Sequence, residues 1–204
     1  MTYIIIFLTI IVSIAALRNR TLFDRLSLVP YRVVHDRQWW RVITHGFVHG
    51  DYVHLAVNMF VLLSFGQFIE RFVGAYQPSG LVSDGDLWYL LLYFGGMVAA
   101  SVYDLIRYRN NPRYASIGAS GAVSAVVFAS IFFNPWSKIY LLGVILIPGI
   151  IFGLLYIGYS SYMGRRQGDR INHFAHLFGA LFGFLFPLLT NPSFFSVFWD
   201  NLTK

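Results

Sequence analysis

Three groups of polar residues interrupt the apolar runs of this 204-residue chain. They are His45, His49, His54 and Asn58; then Gly118-Ala119-Ser120-Gly121; then His173 and His176. A polar side chain in an apolar span needs a partner to offset its desolvation, so each is a functional candidate. Their types suit nucleophilic chemistry, because serine is a weak nucleophile until a base takes its proton, and histidine is the usual base. Glycines beside Ser120 would permit a tight backbone with room for a substrate carbonyl. His54 and Asn58, at i and i+4, share a helix face and could donate to a developing oxyanion together with the Ser120 N–H. A polar cavity open to the loop side would admit the water that hydrolysis needs. Each residue also has a plainer reading. A serine in a membrane helix usually bonds back to a carbonyl, His45 and His49 suit hydrogen bonding in a loop, and His54 with Asn58 could simply tie helices together. Nor is this the Gly-x-Ser-x-Gly elbow of soluble hydrolases, since Ala122 holds the fifth position.

The elements that carry these groups must be membrane helices. Hydrophobic residues make up 57% of the chain and charged ones 12%, against about 25% charged in soluble domains. With a mean hydropathy of +0.61, one soluble core could not hide so much apolar surface. Charge-free runs mark six spans, because a mid-bilayer charge costs about 3 kcal/mol or more. They are Met1–Leu17, Tyr52–Ile69, Leu87–Tyr103, Tyr114–Ser137, Ile139–Gly164 and Ile171–Trp199. All six should be helical, since a helix satisfies its own backbone in lipid, with Pro135 ending the fourth early. The reading is an all-α membrane protein, a six-helix bundle in one domain over residues 1–204. A long first loop, about residues 18–51, carries Trp39-Trp40 and six arginines and suits the interface. Arginines follow the first run rather than precede it, so it reads as a retained span and not a signal peptide.

The net charge of +6 fits basic loops and anionic lipid better than nucleic acid in so apolar a chain. Zero cysteine excludes disulfides, thiol catalysis and cysteine-ligated metals. Loops one, three and five hold 12 of the 15 Lys/Arg residues, which by the positive-inside rule puts those loops in the cytoplasm.

Spans two, four and six all begin on that side. Ser120 lies seven residues past Arg113, His176 six past Arg170, and His54 three past Asp51. At about 1.5 Å per residue, these three and Asn58 fall within roughly the first 10 Å of one membrane face. The fourth span continues with Gly121, Ala125 and Ala129, and the sixth carries Gly179 and Gly183. Such small faces let helix backbones approach closely in lipid, though alone they signal packing more often than catalysis.

Together these features resemble the rhomboid intramembrane serine proteases, over nearly the whole chain from Trp40 to Gly183. The match runs through Trp40-Arg41, His49, His54-Leu-Ala-Val-Asn58, Glu70, Gly74, Gly118-Ala-Ser120-Gly and Ala175-His176-Leu-Phe-Gly179-Ala-Leu-Phe-Gly183. Each motif is weak alone, but their order and spacing are specific. The resemblance implies a six-span rhomboid-like bundle with Ser120 as nucleophile, His176 as base, and His54 with Asn58 as oxyanion donors. It implies a dyad without an aspartate, no cofactor or metal, transmembrane protein substrates in the lipid bilayer, and a multi-pass place in a bacterial-type cell (inner) membrane. Trp40-Arg41, Glu70 and His49 look structural by the same comparison. Substrate would enter past the fifth span, with Gly158, Gly164 and Gly168 loosening the fifth loop.

Two departures stand out. Many members carry an aromatic residue four after the serine, stacked on the histidine, where this chain has Ser124. Members also usually keep the amino terminus in the cytoplasm and open the site outward, the reverse of the arginine count. Asn172 and His173 have no assigned role. Two other readings compete: an inactive rhomboid-like binder of membrane proteins, and a metal transporter using His45, His49, His54, His173 and His176.

Overall fold

The computed structural model describes residues 1–141, 144–166 and 171–204; Gly168, expected to loosen the fifth loop, and Arg170, counted among the loop charges, lie outside the described residues. The described chain is mostly helical. Helices α1 (Thr2–Arg18), α5 (Tyr52–Tyr76), α6 (Gly85–Arg107), α7 (Ser120–Phe133), α8 (Gly149–Arg166) and α9 (His173–Thr190) carry most of the apolar sequence. Of these, α5, α6 and α9 are long and apolar enough to cross a membrane, while α1 and α7 are shorter apolar helices. Between α1 and α5 lie three short helices, α2 (Arg20–Leu26), α3 (Pro30–His35) and α4 (Arg41–Thr44), and a 3-10 turn at His45–Phe47.

The polar residues that bound the apolar runs work as helix caps. Asp51 accepts the His54 N–H at 2.7 Å, Asp84 accepts those of Asp86 and Leu87, and Asn172 accepts that of Ala175. Each satisfies donors that a helix start leaves open. Asp104 is different. Expected as the charge that ends the third run, it lies inside α6 and is 1% exposed.

Three spans depart from the expected outline. The fourth run does not become helical until Ser120, and residues 114–119 approach it as extended and turn backbone. The fifth run begins as an antiparallel hairpin, β1 (Lys138–Leu141) with β2 (Ile145–Pro148), pairing Ile139 with Ile147. The expectation of a helix throughout this run is corrected, since its inward-facing backbone groups pair across the hairpin instead. β-branched Ile139, Val144, Ile145 and Ile147 favour strands, and Pro148 pushes the residue before it to extended geometry. The sixth run likewise breaks at Asn191-Pro192, and α10 (Phe194–Leu202) turns back beneath the bundle. There Asn201 Nδ2 donates to the Phe133 carbonyl, capping the end of α7.

Helix α7 is the central strut. Every residue from Gly121 to Phe133 is buried, among α5, α6, α8 and α9. The small-residue seam does what its spacing predicts. A Cβ added at Gly179 would lie 2.1 Å from the Gly121 carbonyl oxygen, and one at Gly183 would lie 2.0 Å from that of Ala125. On the other side, Gly96 meets Ala125, and Gly121 meets Ala100. Three backbones thus touch along one seam. In lipid, where no hydrophobic drive separates helix from tail, such contact supplies much of the association energy.

Gly183→Ala should therefore destabilise the fold by about 2 kcal/mol, the usual cost of forcing atoms into a packed contact. Gly158→Ala, in a helix with nothing within 4 Å of the added carbon, should be neutral or stabilising by up to about 1 kcal/mol. Thermal unfolding in detergent compares the two, and equal melting points would contradict the seam.

Candidate active site

Ser120 is the first residue of α7, and His176 sits one turn into α9. The seam below them brings the two helix starts together, and His176 Nε2 lies 2.7 Å from Ser120 Oγ. This is hydrogen-bond distance for a hydroxyl donating to a neutral imidazole. As the first helical residue, Ser120 also points its N–H out of the helix end, where the dipole is positive.

The backbone leading to Ser120 is bent and held. Gly118 has φ +109°, a conformation that side-chain-bearing residues rarely adopt. A Cβ there would also lie 2.9 Å from His54 Cε1, so the His54 ring packs against this glycine, two residues before the serine. Asn58 is 6% exposed, and its Nδ2 donates to the His54 carbonyl at 3.0 Å within its own helix. Of the four expected site residues, Ser120 and His176 touch directly. His54 borders the approach to Ser120, and Asn58 uses one of its two amide hydrogens on α5.

His45 and His49 serve as hydrogen-bonding loop residues. The His45 carbonyl accepts the Gly118 N–H at 3.0 Å, and its Nδ1 lies 3.0 Å from the Arg41 carbonyl. Ser13 gives its hydroxyl hydrogen to the Phe47 carbonyl at 2.7 Å and receives His49 Nδ1 at 2.9 Å. That leaves His49 Nε2 as an acceptor, and the Ala119 N–H points to it at 3.4 Å. Both rings are buried and neutral. Burial pushes His45 down to about 4 and His49 down to about 3, the latter also repelled by a charge on His54. Beneath them, the Arg41 guanidinium donates to the Asp24 and Ser27 carbonyls and to Gln38. Leu28, next to Ser27, pairs with Ser116 through two backbone hydrogen bonds of 2.9 Å. The residues between α1 and α5 thus form the bed on which residues 116–119 lie.

Two contributors, Asp104 and Asn172, have no role assigned from the sequence. Asp104 Oδ2 receives Ser116 Oγ and Asn172 Nδ2, each at 2.7 Å, tying the bed to the cap of α9. Its other oxygen is buried without a hydrogen-bond partner among the described residues. It borders a cavity of about 20 Å³ that also touches Ser120 and Gly121, enough for one water. Asn172 was legible in principle as an N-cap three residues before Ala175. Asp104 was not, because its partners lie 12 and 68 residues away.

A Rhomboid domain family model matches residues 36–193. The chain is 33% identical over 168 residues to RHOMBOID-like protein 4 of Arabidopsis thaliana, covering 80% of this chain and 37% of that one. It is 30% identical over 154 residues to RHOMBOID-like protein 12, mitochondrial, of the same plant, covering 68% of this chain and 43% of that one. It is 31% identical over 148 residues to Presenilin-associated rhomboid-like protein A, mitochondrial, of Danio rerio, covering 70% and 35%. The chain thus spans less than half the length of each of these relatives.

The buried neutral histidines set a pH dependence. Both folded pKa values lie below the ordinary value of 6.5, so their contribution to stability is complete above pH 6.5. As pH falls toward 4, the unfolded rings take up protons that the folded rings refuse. Stability should drop by about 1.4 kcal/mol per pH unit for each ring. Melting curves in detergent from pH 7 to pH 4.5 should show this, with a shallower slope in His49→Gln. A flat profile would mean that the rings are not held neutral.

Proposed function

The chain belongs to the rhomboid family, and from that premise we propose that it is an intramembrane serine endopeptidase working through a Ser120–His176 dyad. One observation carries the reading: the 2.7 Å contact between His176 Nε2 and Ser120 Oγ, made where two helices start. In the reaction, Ser120 Oγ attacks a peptide carbonyl of a transmembrane substrate while its proton passes to His176 Nε2. The carbonyl oxygen becomes an oxyanion beside the Ser120 N–H, with His54 and the second amide hydrogen of Asn58 as side-chain donors. The tetrahedral centre collapses, the amine leaves with the proton from His176, and an acyl-enzyme remains on Ser120. Water, deprotonated by His176, then releases the acyl group and restores the dyad.

Six spans follow if α1, α7 and α8 cross together with the three longer helices. At 14 residues, α7 covers about 21 Å of a hydrocarbon core about 30 Å thick. A strut that short, reaching one face, leaves its serine end recessed, with the bed of residues 19–51 closing the gap. Of the glycines expected to loosen the fifth loop, Gly158 and Gly164 instead lie within α8, and Gly164 packs against Phe174. A route past α8 therefore requires that helix to shift as a unit.

The transporter reading fares worse on geometry. Both ring nitrogens of His49 are engaged with protein groups, and His45 uses Nδ1 on a carbonyl. The inactive-binder reading is decided by chemistry.

A fluorophosphonate probe should label Ser120 covalently, read by mass spectrometry, and the adduct should vanish in Ser120→Ala and His176→Ala. Cleavage of a model transmembrane substrate should fall in both variants by about a thousandfold or more, as expected when an activated nucleophile loses its base. A folded chain that neither labels nor cleaves would favour the inactive binder.

For placement in a cell membrane we propose the family orientation, with the bed of residues 19–51 outside. Because the chain has no cysteine, single cysteines report sidedness directly. Ser27 is 2% exposed and would be a blind reporter, whereas Asp36 and Ser83 are exposed. In intact cells an impermeant thiol reagent should modify Asp36→Cys and spare Ser83→Cys. The opposite pattern would uphold the arginine count.

A further inference from the structure

Position 124 lies one helical turn beyond Ser120 on α7, and its side chain is small and buried. A residue from a third helix links it to His176. Tyr156 of α8 brings its phenol oxygen to 2.8 Å from Ser124 Oγ. Its ring lies nearly parallel to that of His176, with centroids 6.4 Å apart and planes at 18°. Phe128 and Phe152 pack on Tyr156 at 5.4 Å and 5.7 Å, so the ring is held on its apolar sides as well as at its hydroxyl. His173 meets the same imidazole edge-on at 6.3 Å.

We propose that Tyr156, anchored by Ser124, is the positioning residue that sets the plane of the His176 imidazole. The inference rests on the dyad reading above and adds to it the residue that orients the base. The centroid distance falls in the range over which aromatic rings interact, and nearly parallel planes with centroids 6.4 Å apart make the tyrosine an offset flank of the imidazole. The hydroxyl–hydroxyl bond fixes how far Tyr156 can slide along α7. A ring that tips about its Cβ–Cγ bond would swing Nε2 off the line to Ser120 Oγ, and proton transfer is sensitive to that alignment. Since the tyrosine belongs to α8 and not to the serine's own helix, the base keeps its orientation only while α8 stays docked on α7.

The test measures cleavage of a model transmembrane substrate and fluorophosphonate labelling of Ser120, both on purified full-length protein in detergent. Tyr156→Leu keeps bulk but removes the ring, and Tyr156→Phe keeps the ring but removes the hydroxyl. Ser124→Ala removes the same hydrogen bond from the other side. Tyr156→Leu should lower kcat and the labelling rate about fivefold, about 1 kcal/mol of barrier, with KM unchanged; losing the ring packed on Phe128 and Phe152 also lowers the melting temperature, so rates are compared well below it. Tyr156→Phe and Ser124→Ala should each cost about twofold, and the double variant no more than either alone, because both delete one bond. Wild-type rates in Tyr156→Leu would overturn the inference. So would a loss confined to KM, and so would additive single variants. If the unsubstituted chain neither labels nor cleaves, the dyad reading fails and this inference with it. Normal labelling of the unsubstituted chain with no effect at Tyr156 overturns only the positioning role.

Discussion

The contact on which the rest depends is between the backbones of α7 and α9. The Gly121 and Ala125 carbonyls press against Gly179 and Gly183 so closely that a single methyl group would part the helices. Two helices bearing larger side chains sit about 8–10 Å apart, and a methyl group in this seam would shift the Ser120 hydroxyl relative to the His176 imidazole. The 2.7 Å contact of Ser120 with His176 is therefore held in place by residues with no polar chemistry. The third backbone, α6, joins through Gly96 and Ala100, so the seam is braced from both sides and the separation of the helix starts is fixed by hard contact.

Hard contact fixes the helices but not the chain that enters them. Residues 116–119 carry backbone N–H groups with no helix to receive them, and buried donors left open cost about 1–3 kcal/mol each. The bed receives three of these four donors. Leu28 takes Ser116, the His45 carbonyl takes Gly118, and His49 Nε2 takes Ala119. This explains why His49 must stay neutral, since a protonated ring would turn its acceptor toward Ala119 into a second donor. It also explains the buried Arg41, whose charge is spread over two carbonyls and an amide while it locks the turn that presents Leu28. Histidines that look like spare chemistry in the sequence are backbone partners in the fold.

What could be read from the sequence follows the range of the interactions. Charge-free apolar runs and the small-residue seam are local, and they place the bodies of α5, α6, α7 and α9 and, to within a turn, the starts of α5, α6 and α9. The shared depth of His54, Ser120 and His176 is local too, because it counts residues from the nearest charge. The misses are long-range. The hairpin at 138–148 depends on pairing across a turn that an apolar run does not announce, and the true start of α7 at Ser120 depends on Leu28, His45 and His49 capturing the residues before it. Tyr156 was invisible for the same reason. Ser124 stood out as a missing aromatic ring, but nothing in residues 120–124 says that α8 supplies one.

The helix starts that meet at the site share one electrostatic sign, partly offset by the Asp51 carboxylate that caps α5 and by buried Asp104. Helices α5, α7 and α9 all start there, at Tyr52, Ser120 and His173, and each helix start carries about half a positive charge. That field favours negative charge forming on a substrate oxygen and opposes an isolated imidazolium. A dyad placed in it gains little by transferring the Ser120 proton ahead of attack, because His176 would then be charged with only an alkoxide to offset it in a field already positive. Transfer during attack is better matched. The imidazolium appears as the oxyanion does, the pair is neutral overall, and the three helix starts stabilise the member that the protein must bind most tightly in the transition state. On this argument the convergence of helix starts serves the proposed dyad at the oxyanion and not at the imidazolium, the opposite end of the charge pair from the one an acidic triad member stabilises.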